Sequence, residues 1–107
     1  MIDKECIELC KAINSIGGIY TVESFCGHGK DTFSIWFEVI DLSRLPILLY
    51  YIDPCHVGFR WWCKVQTDCA MSPVYFHLES ESIGEKAYEE AKIIAEEIKG
   101  FLETGMM

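Results

Sequence analysis

Three short segments concentrate the thiols and imidazoles of this chain: Cys26-Gly27-His28-Gly29, Pro54-Cys55-His56 and Asp68-Cys69-Ala70-Met71-Ser72-Pro73. Each lies where an apolar, strand-like run starts or stops, the position from which a rigid scaffold displays binding or reactive side chains. Three chemistries fit these residue types. Cys26, His28, Cys55 and His56 together supply the two thiolates and two imidazoles of a tetrahedral zinc site. Their spacing, Cys-x-His and adjacent Cys-His, is not the two-to-four-residue pairing of familiar structural zinc sites. Cys26 can alternatively act as a nucleophile with His28 or His56 as base, its glycine-flanked turn offering N–H groups to an oxyanion. No family-specific catalytic signature surrounds it.

The third chemistry is binding. Gly27 and Gly29 leave room for close backbone approach and can present N–H donors to an anion, with His28, Lys30 and Arg60 adding positive charge. Trp36 and Trp62 offer aromatic faces on which a planar ligand such as a nucleobase stacks.

The elements that must position these residues follow from periodicity. Positions 3–16 read as an amphipathic helix capped by Asp3, with Cys6, Leu9, Cys10 and Ile13 at helical spacing and Gly17-Gly18 ending it. Cys6 and Cys10 could share a metal one turn apart, but cysteine on an apolar face is first of all core packing. Positions 19–25 and 33–40 read as strands forming an antiparallel hairpin around the 26–32 loop. A short apolar helix is expected over 43–52, with Pro46 in its first turn and Asp53-Pro54 stopping it. Alternation returns over 57–67 and 74–79. The last helix, 83–103, carries a Ser82–Glu85 capping box, an Ala87/Ala91/Ile94/Ala95/Ile98/Leu102 stripe, and Glu89, Glu90, Glu96 and Glu97 on its wet face.

That order decides which loops meet. If strand 19–25 runs upward, 33–40 returns downward, and the 43–52 helix, about 15 Å long, carries the chain back up. Cys55 and His56 then arrive beside Cys26 and His28. Strand 57–67 descends parallel to 33–40 after a right-handed crossover, leaving Cys69 at the opposite end and bringing His77 upward. If helices cover one sheet face, the other carries Trp36, Arg60, Trp62, Lys64, Tyr75 and His77, a surface suited to a ligand or to a second copy of the chain.

Composition sets outer bounds. At 107 residues, half of them apolar and 13% aromatic, the chain reads as one domain (1–107) with a real core. A formal charge of −8, with only nine scattered Lys and Arg, argues against generic nucleic-acid or anionic-membrane binding. No apolar run approaches the roughly 18–20 residues that span a bilayer. Met1-Ile2-Asp3-Lys4-Glu5 has no secretory n-region or h-region, so a cytoplasmic location and free thiols are expected.

Ala12-Ile13-Asn14-Ser15-Ile16, followed by Gly18-Ile19-Tyr20-Thr21-Val22-Glu23-Ser24-Phe25-Cys26-Gly27, resembles the start of the tRNA wybutosine-synthesizing protein 3 family. That family joins an Asn-Ser helix end, a Tyr-Thr strand and a Ser-x-Cys-Ser-Gly-Arg loop; here Gly27-His28-Gly29 replaces Ser-Gly-Arg. This resemblance, over 12–27, implies S-adenosylmethionine-dependent methyl transfer to tRNA. The Glu-Ser-x-Cys-Gly-His-Gly, Asp-Pro-Cys-His and Thr-Asp-Cys-x-Met-Ser-Pro segments resemble small uncharacterised proteins of bacterial phages and prophages. That likeness implies a phage accessory role, such as capture of a nucleotide-like metabolite.

The expected architecture is therefore α+β: a four-stranded mixed sheet in the order α-β-β-α-β-β-α with helices mainly on one face. The expected function is binding of a small anionic or nucleotide-like ligand by a homodimeric protein, at the Cys-Gly-His-Gly loop. Its candidate residues are Cys26, Gly27, His28, Gly29, Lys30, Trp36, His56, Arg60, Trp62 and His77. A zinc-binding interaction module, through Cys26, His28, Cys55 and His56, and a tRNA-modifying enzyme are the alternatives.

Overall fold

The computed structural model describes residues 3–67 and 74–104. The predicted Asp68–Pro73 turn, with Cys69, lies outside them. A 3₁₀ turn at Lys4–Cys6 leads into α1 (Ile7–Ser15), which buries Leu9, Cys10, Ala12 and Ile13. Asp3 does not cap this helix with its side chain; its carboxylate instead accepts the Cys26 amide at 3.0 Å. Strands β1 (Ile19–Phe25) and β2 (Thr32–Val39) follow, as the alternation predicts.

The middle of the chain departs from expectation. The single helix expected over 43–52 is a 3₁₀ turn at Leu42–Arg44, capped by Asp41 onto the Ser43 amide, and then a seven-residue α2 (Leu45–Tyr51). Asp53-Pro54 starts a further helical turn, α3 (Pro54–Val57): Asp53 accepts the Cys55 amide, Pro54 occupies the first position, and Gly58 ends the turn at φ +82°. An Asp-Pro pair suits a helix start as well as a helix stop, because proline at the first helical position surrenders only a donor that would be unpaired anyway. Strands β3 (Trp61–Gln66) and β4 (Tyr75–Ile83) precede the long α4 (Gly84–Thr104).

The sheet order is β1-β2-β4-β3, and every neighbouring pair is antiparallel. The fold is α+β, with an antiparallel sheet instead of the expected mixed one. β3 does run in the same direction as β2, but β4 lies between them and pairs with both. Burial explains the placement. β2 presents fully buried Phe33, Ile35 and Phe37, and β4 presents Leu78 and Ser80, so these two take the centre. β3, with exposed Lys64, Val65 and Gln66, takes one edge. β1 takes the other, where a bulge between Thr21 and Glu23 breaks the regular ladder and blunts the edge.

Helices α1 and α4 cover one sheet face. Ile13, Ile94 and Ile98 from the helices and Phe33, Ile35, Phe37 and Leu78 from the strands are all fully buried. Cys6 and Cys10 belong to this core, and burial pushes the Cys6 thiol up to about 12. The Cys63 thiol is raised to about 11 for the same reason. Two readings of the last helix need correction. Ser82 is the penultimate residue of β4, not a cap, and its hydroxyl donates to Glu90 at 3.1 Å. Glu90 is not on the wet face: it is buried and also accepts the Trp61 indole N–H at 3.0 Å. No helix among the described residues is long and apolar enough to cross a membrane.

Candidate functional site

At the end of β1 the chain turns through a 3₁₀ segment, Gly27–Gly29, whose conformation is fixed from several sides. Gly27 has φ +86°, and a Cβ there would stand 2.9 Å from the Thr32 carbonyl oxygen, so glycine is required. His28, at φ 47°, is the one non-glycine residue with positive φ among the described residues. The Cys26 sulfur accepts the His28 amide at 3.4 Å, lies 3.7 Å from His28 Nδ1, and accepts the Tyr88 hydroxyl at 3.9 Å.

Three amides of this loop are engaged within the turn itself. The His28 amide goes to the Cys26 sulfur, and the Lys30 and Asp31 amides both go to the Gly27 carbonyl at 3.0 Å. Gly27 and Gly29, both at positive φ, let the turn close. Burial raises the Cys26 pKa, which disfavours the thiolate form that a nucleophile needs.

Cys55 and His56 do not join Cys26 and His28. Both lie on α3, where Cys55 is exposed and His56 Nε2 pairs with Glu97 Oε1 at 3.1 Å. The Cys26 sulfur touches Tyr88 of the same helix, nine residues earlier. Nine residues advance about 13.5 Å along an α-helix and about half a turn around it. The two turns therefore meet opposite flanks of α4 at different heights. Pro46, Ile47, Tyr50 and Tyr51 of α2 and His56 of α3 all line one cleft with Glu97, Gly100 and Phe101, so this segment stays beside the C-terminal half of α4 and does not climb to the Tyr88 end. Among the described residues, the donors that do converge are Asp3, Cys26 and His28, all within 4.8 Å of one another. Asp3 was missed because an aspartate ahead of an amphipathic run reads as a helix cap.

The cationic pocket also disperses. His28 and Lys30 are exposed beside β1 and β2, whereas Arg60 leads into the opposite edge strand, three strand spacings or about 14 Å across. Arg60 lies 4.9 Å from the Trp62 ring centroid, and Lys64 pairs with Glu79 at 3.0 Å.

Trp36, Trp62, Lys64, Tyr75 and His77 do share the sheet face away from the helices, as their alternation requires. They are occupied with one another. The Trp36 and His77 rings stack nearly parallel, 4.4 Å apart with a 4° interplanar angle. The Trp36 indole N–H reaches Gln66 at 3.4 Å. What remains is a hollow of about 200 Å³ beside Glu23, Trp36, Gln66 and Tyr75.

His77 Nε2 is buried without a hydrogen-bond partner among the described residues, and burial lowers the pKa of this imidazole below its usual 6.5. Hydrogen bonds from Thr32 and Lys64 hold Glu79 below the ordinary 4.5. For both groups the unfolded chain binds protons more readily than the folded one, so stability is full above the unfolded pKa and falls as pH drops. Thermal melts across pH should show a loss beginning below 6.5 and a further loss below 4.5. His77→Phe keeps the stacking on Trp36 and should remove only the first stage; an unchanged profile would show that His77 does not titrate on unfolding.

A larger concavity lies on the other flank of α4. A cleft of about 620 Å³ opens between α2–α3 and the C-terminal half of α4, walled by Ile47, Tyr50, Tyr51 and Phe101, with Gly100 at its side. His56 packs against Tyr50 and Tyr51, with ring centroids 4.5 and 5.2 Å away, while its Nε2 holds Glu97. Burial raises the Tyr51 pKa, so this phenol is neutral at physiological pH. Of this group only His56 was singled out from sequence. Phe101 and Gly100, which stand off the predicted packing stripe of the helix, were the available signal. Protein-family models, curated proteins and solved structures contain no match to this chain.

Proposed function

We propose that this protein is a binding module for a small planar ligand of nucleobase or nucleoside type, seated in the His56–Glu97 cleft. The observation that carries this reading is one concavity combining aromatic walls with two convergent polar groups. Its volume of about 620 Å³ falls within the usual range for small-molecule sites. Tyr50, Tyr51 and Phe101 supply aromatic surface, and Glu97 offers carboxylate lone pairs to the N–H groups of a heterocycle. The lining contains one carboxylate and neither Lys nor Arg, which favours an uncharged or amino-bearing ring over a phosphate.

Titration of the isotope-labelled chain with nucleobases, nucleosides and inorganic phosphate, followed by NMR, tests this. Nucleosides should shift the Tyr50, His56, Glu97 and Phe101 resonances saturably, and phosphate should not. Gly100→Leu, which fills the cleft from a solvent-facing position, should abolish those shifts. No response at millimolar ligand, or shifts confined to Trp36 and His77, would overturn the proposal.

A further inference from the structure

The geometry points to a three-donor site for a zinc-class divalent ion at Asp3, Cys26 and His28. The donor set is a carboxylate, a thiol sulfur and an imidazole nitrogen, mutually within 4.8 Å. Each is an established zinc ligand, and this mixture suits a borderline-soft ion better than magnesium or calcium, which take oxygen alone. Zinc–sulfur and zinc–nitrogen bonds of normal length at a tetrahedral angle place S and N about 3.6 Å apart. The Cys26 sulfur and His28 Nδ1 stand at 3.7 Å. Two corners of the tetrahedron are thus already in position, and Asp3, within 4.8 Å of both, needs at most about an ångström of side-chain movement to supply the third.

The surrounding structure holds these donors towards one another. The positive φ of His28 lets a residue only two positions from Cys26 fold its ring back onto the sulfur. On an extended strand, residues so close in sequence would share a face but stand well apart. Asp3 is fastened by the Cys26 amide, and a carboxylate has lone pairs enough to keep that bond and bind an ion. Cys26 is buried and His28 exposed, so the ion would sit at the boundary, its fourth position open to water. Coordination replaces the Cys26 S–H bond by a sulfur–metal bond and releases one proton to solvent. The site joins the start of the chain to the β1–β2 turn, and it is independent of the His56 cleft.

The experiment is titration of the untagged, chelator-stripped chain with Zn²⁺ against a chromophoric competitor, and with Co²⁺ by absorption. One ion per chain and a thiolate-to-cobalt charge-transfer band are expected. Cys26→Ser should remove the band and weaken Zn²⁺ binding by more than about 100-fold, since even outer-shell losses cost 10–100-fold. Asp3→Asn should weaken binding, whereas Cys55→Ser and Cys63→Ser should leave it unchanged. His28→Gly accepts the same backbone conformation and so keeps the fold; it too should lose the ion. Absence of stoichiometric binding at micromolar Zn²⁺, or binding undiminished in Cys26→Ser or His28→Gly, overturns the inference.

Discussion

Phe33→Ala lowers the unfolding free energy by about 3–5 kcal/mol, the range for truncating a fully buried aromatic. Phe33 has no solvent exposure, and its ring lies 5.4 Å from that of Trp61 and 6.3 Å from that of Tyr88. It therefore joins β2 to both β3 and α4. Its own amide donates to the buried Ser80 hydroxyl at 2.8 Å, which pins the backbone and leaves little freedom for the cavity to collapse. Cavities that cannot collapse fall at the costly end of the range. A chain of this size has about 5–15 kcal/mol in total, so the variant retains a thin margin. Urea denaturation measures the loss: the midpoint should fall with little change in slope. Tyr20→Ala, at a residue 53% exposed, should shift the midpoint by no more than about 0.5 kcal/mol. Equal losses in the two variants would mean that Phe33 is not a core residue.

What could be read from the sequence was local. Strand β1 falls on the expected 19–25, α4 lies within one residue of its predicted ends, and the expected 3–16 helix is filled by the Lys4–Cys6 turn and α1 together, because their apolar periodicities are long and uninterrupted. The division of Trp36, Trp62 and His77 from Phe33, Ile35 and Phe37 across two sheet faces likewise follows from period-two alternation. What could not be read was the pairing of elements distant in sequence. Nothing in residues 57–67 states that β4 will insert beside β2, since the choice depends on which strands can bury both neighbours beneath α4. The site failed for a related reason. Bringing His28 to His56 needed the 43–52 helix to traverse the sheet, but α2 and α3 both stay beside the C-terminal half of α4. Conversely, the meeting of Asp3 with Cys26 depends on α1 starting at the same end of the sheet where β1 finishes. That is implicit in an antiparallel helix–strand pair, but masked by the stronger habit of reading Asp3 as a cap.

Glu90→Ala should cost about 2–5 kcal/mol, an unusual effect for a glutamate in a helix that carries Glu89, Glu96 and Glu97 in the same run. Glu90 is buried, with one oxygen accepting the Trp61 indole N–H and the other the Ser82 hydroxyl. Truncation strands both donors, and each unsatisfied buried polar group costs about 1–3 kcal/mol. Glu90→Gln keeps the shape and one carbonyl acceptor, so its loss should be the smaller. Loss of helix propensity cannot explain the difference, because alanine is the better helix former. A double-mutant cycle isolates the contact. Trp61→Phe removes one stranded donor, so the loss in the Trp61→Phe/Glu90→Ala pair should fall short of the sum of the single losses by about 1 kcal/mol or more. Strict additivity would show that the carboxylate does not hold the indole, and that β3 is tied to α4 by apolar packing alone. Coupling would mean that a charged residue, silent in the amphipathic pattern, fixes the register of the last helix against the edge strand it covers.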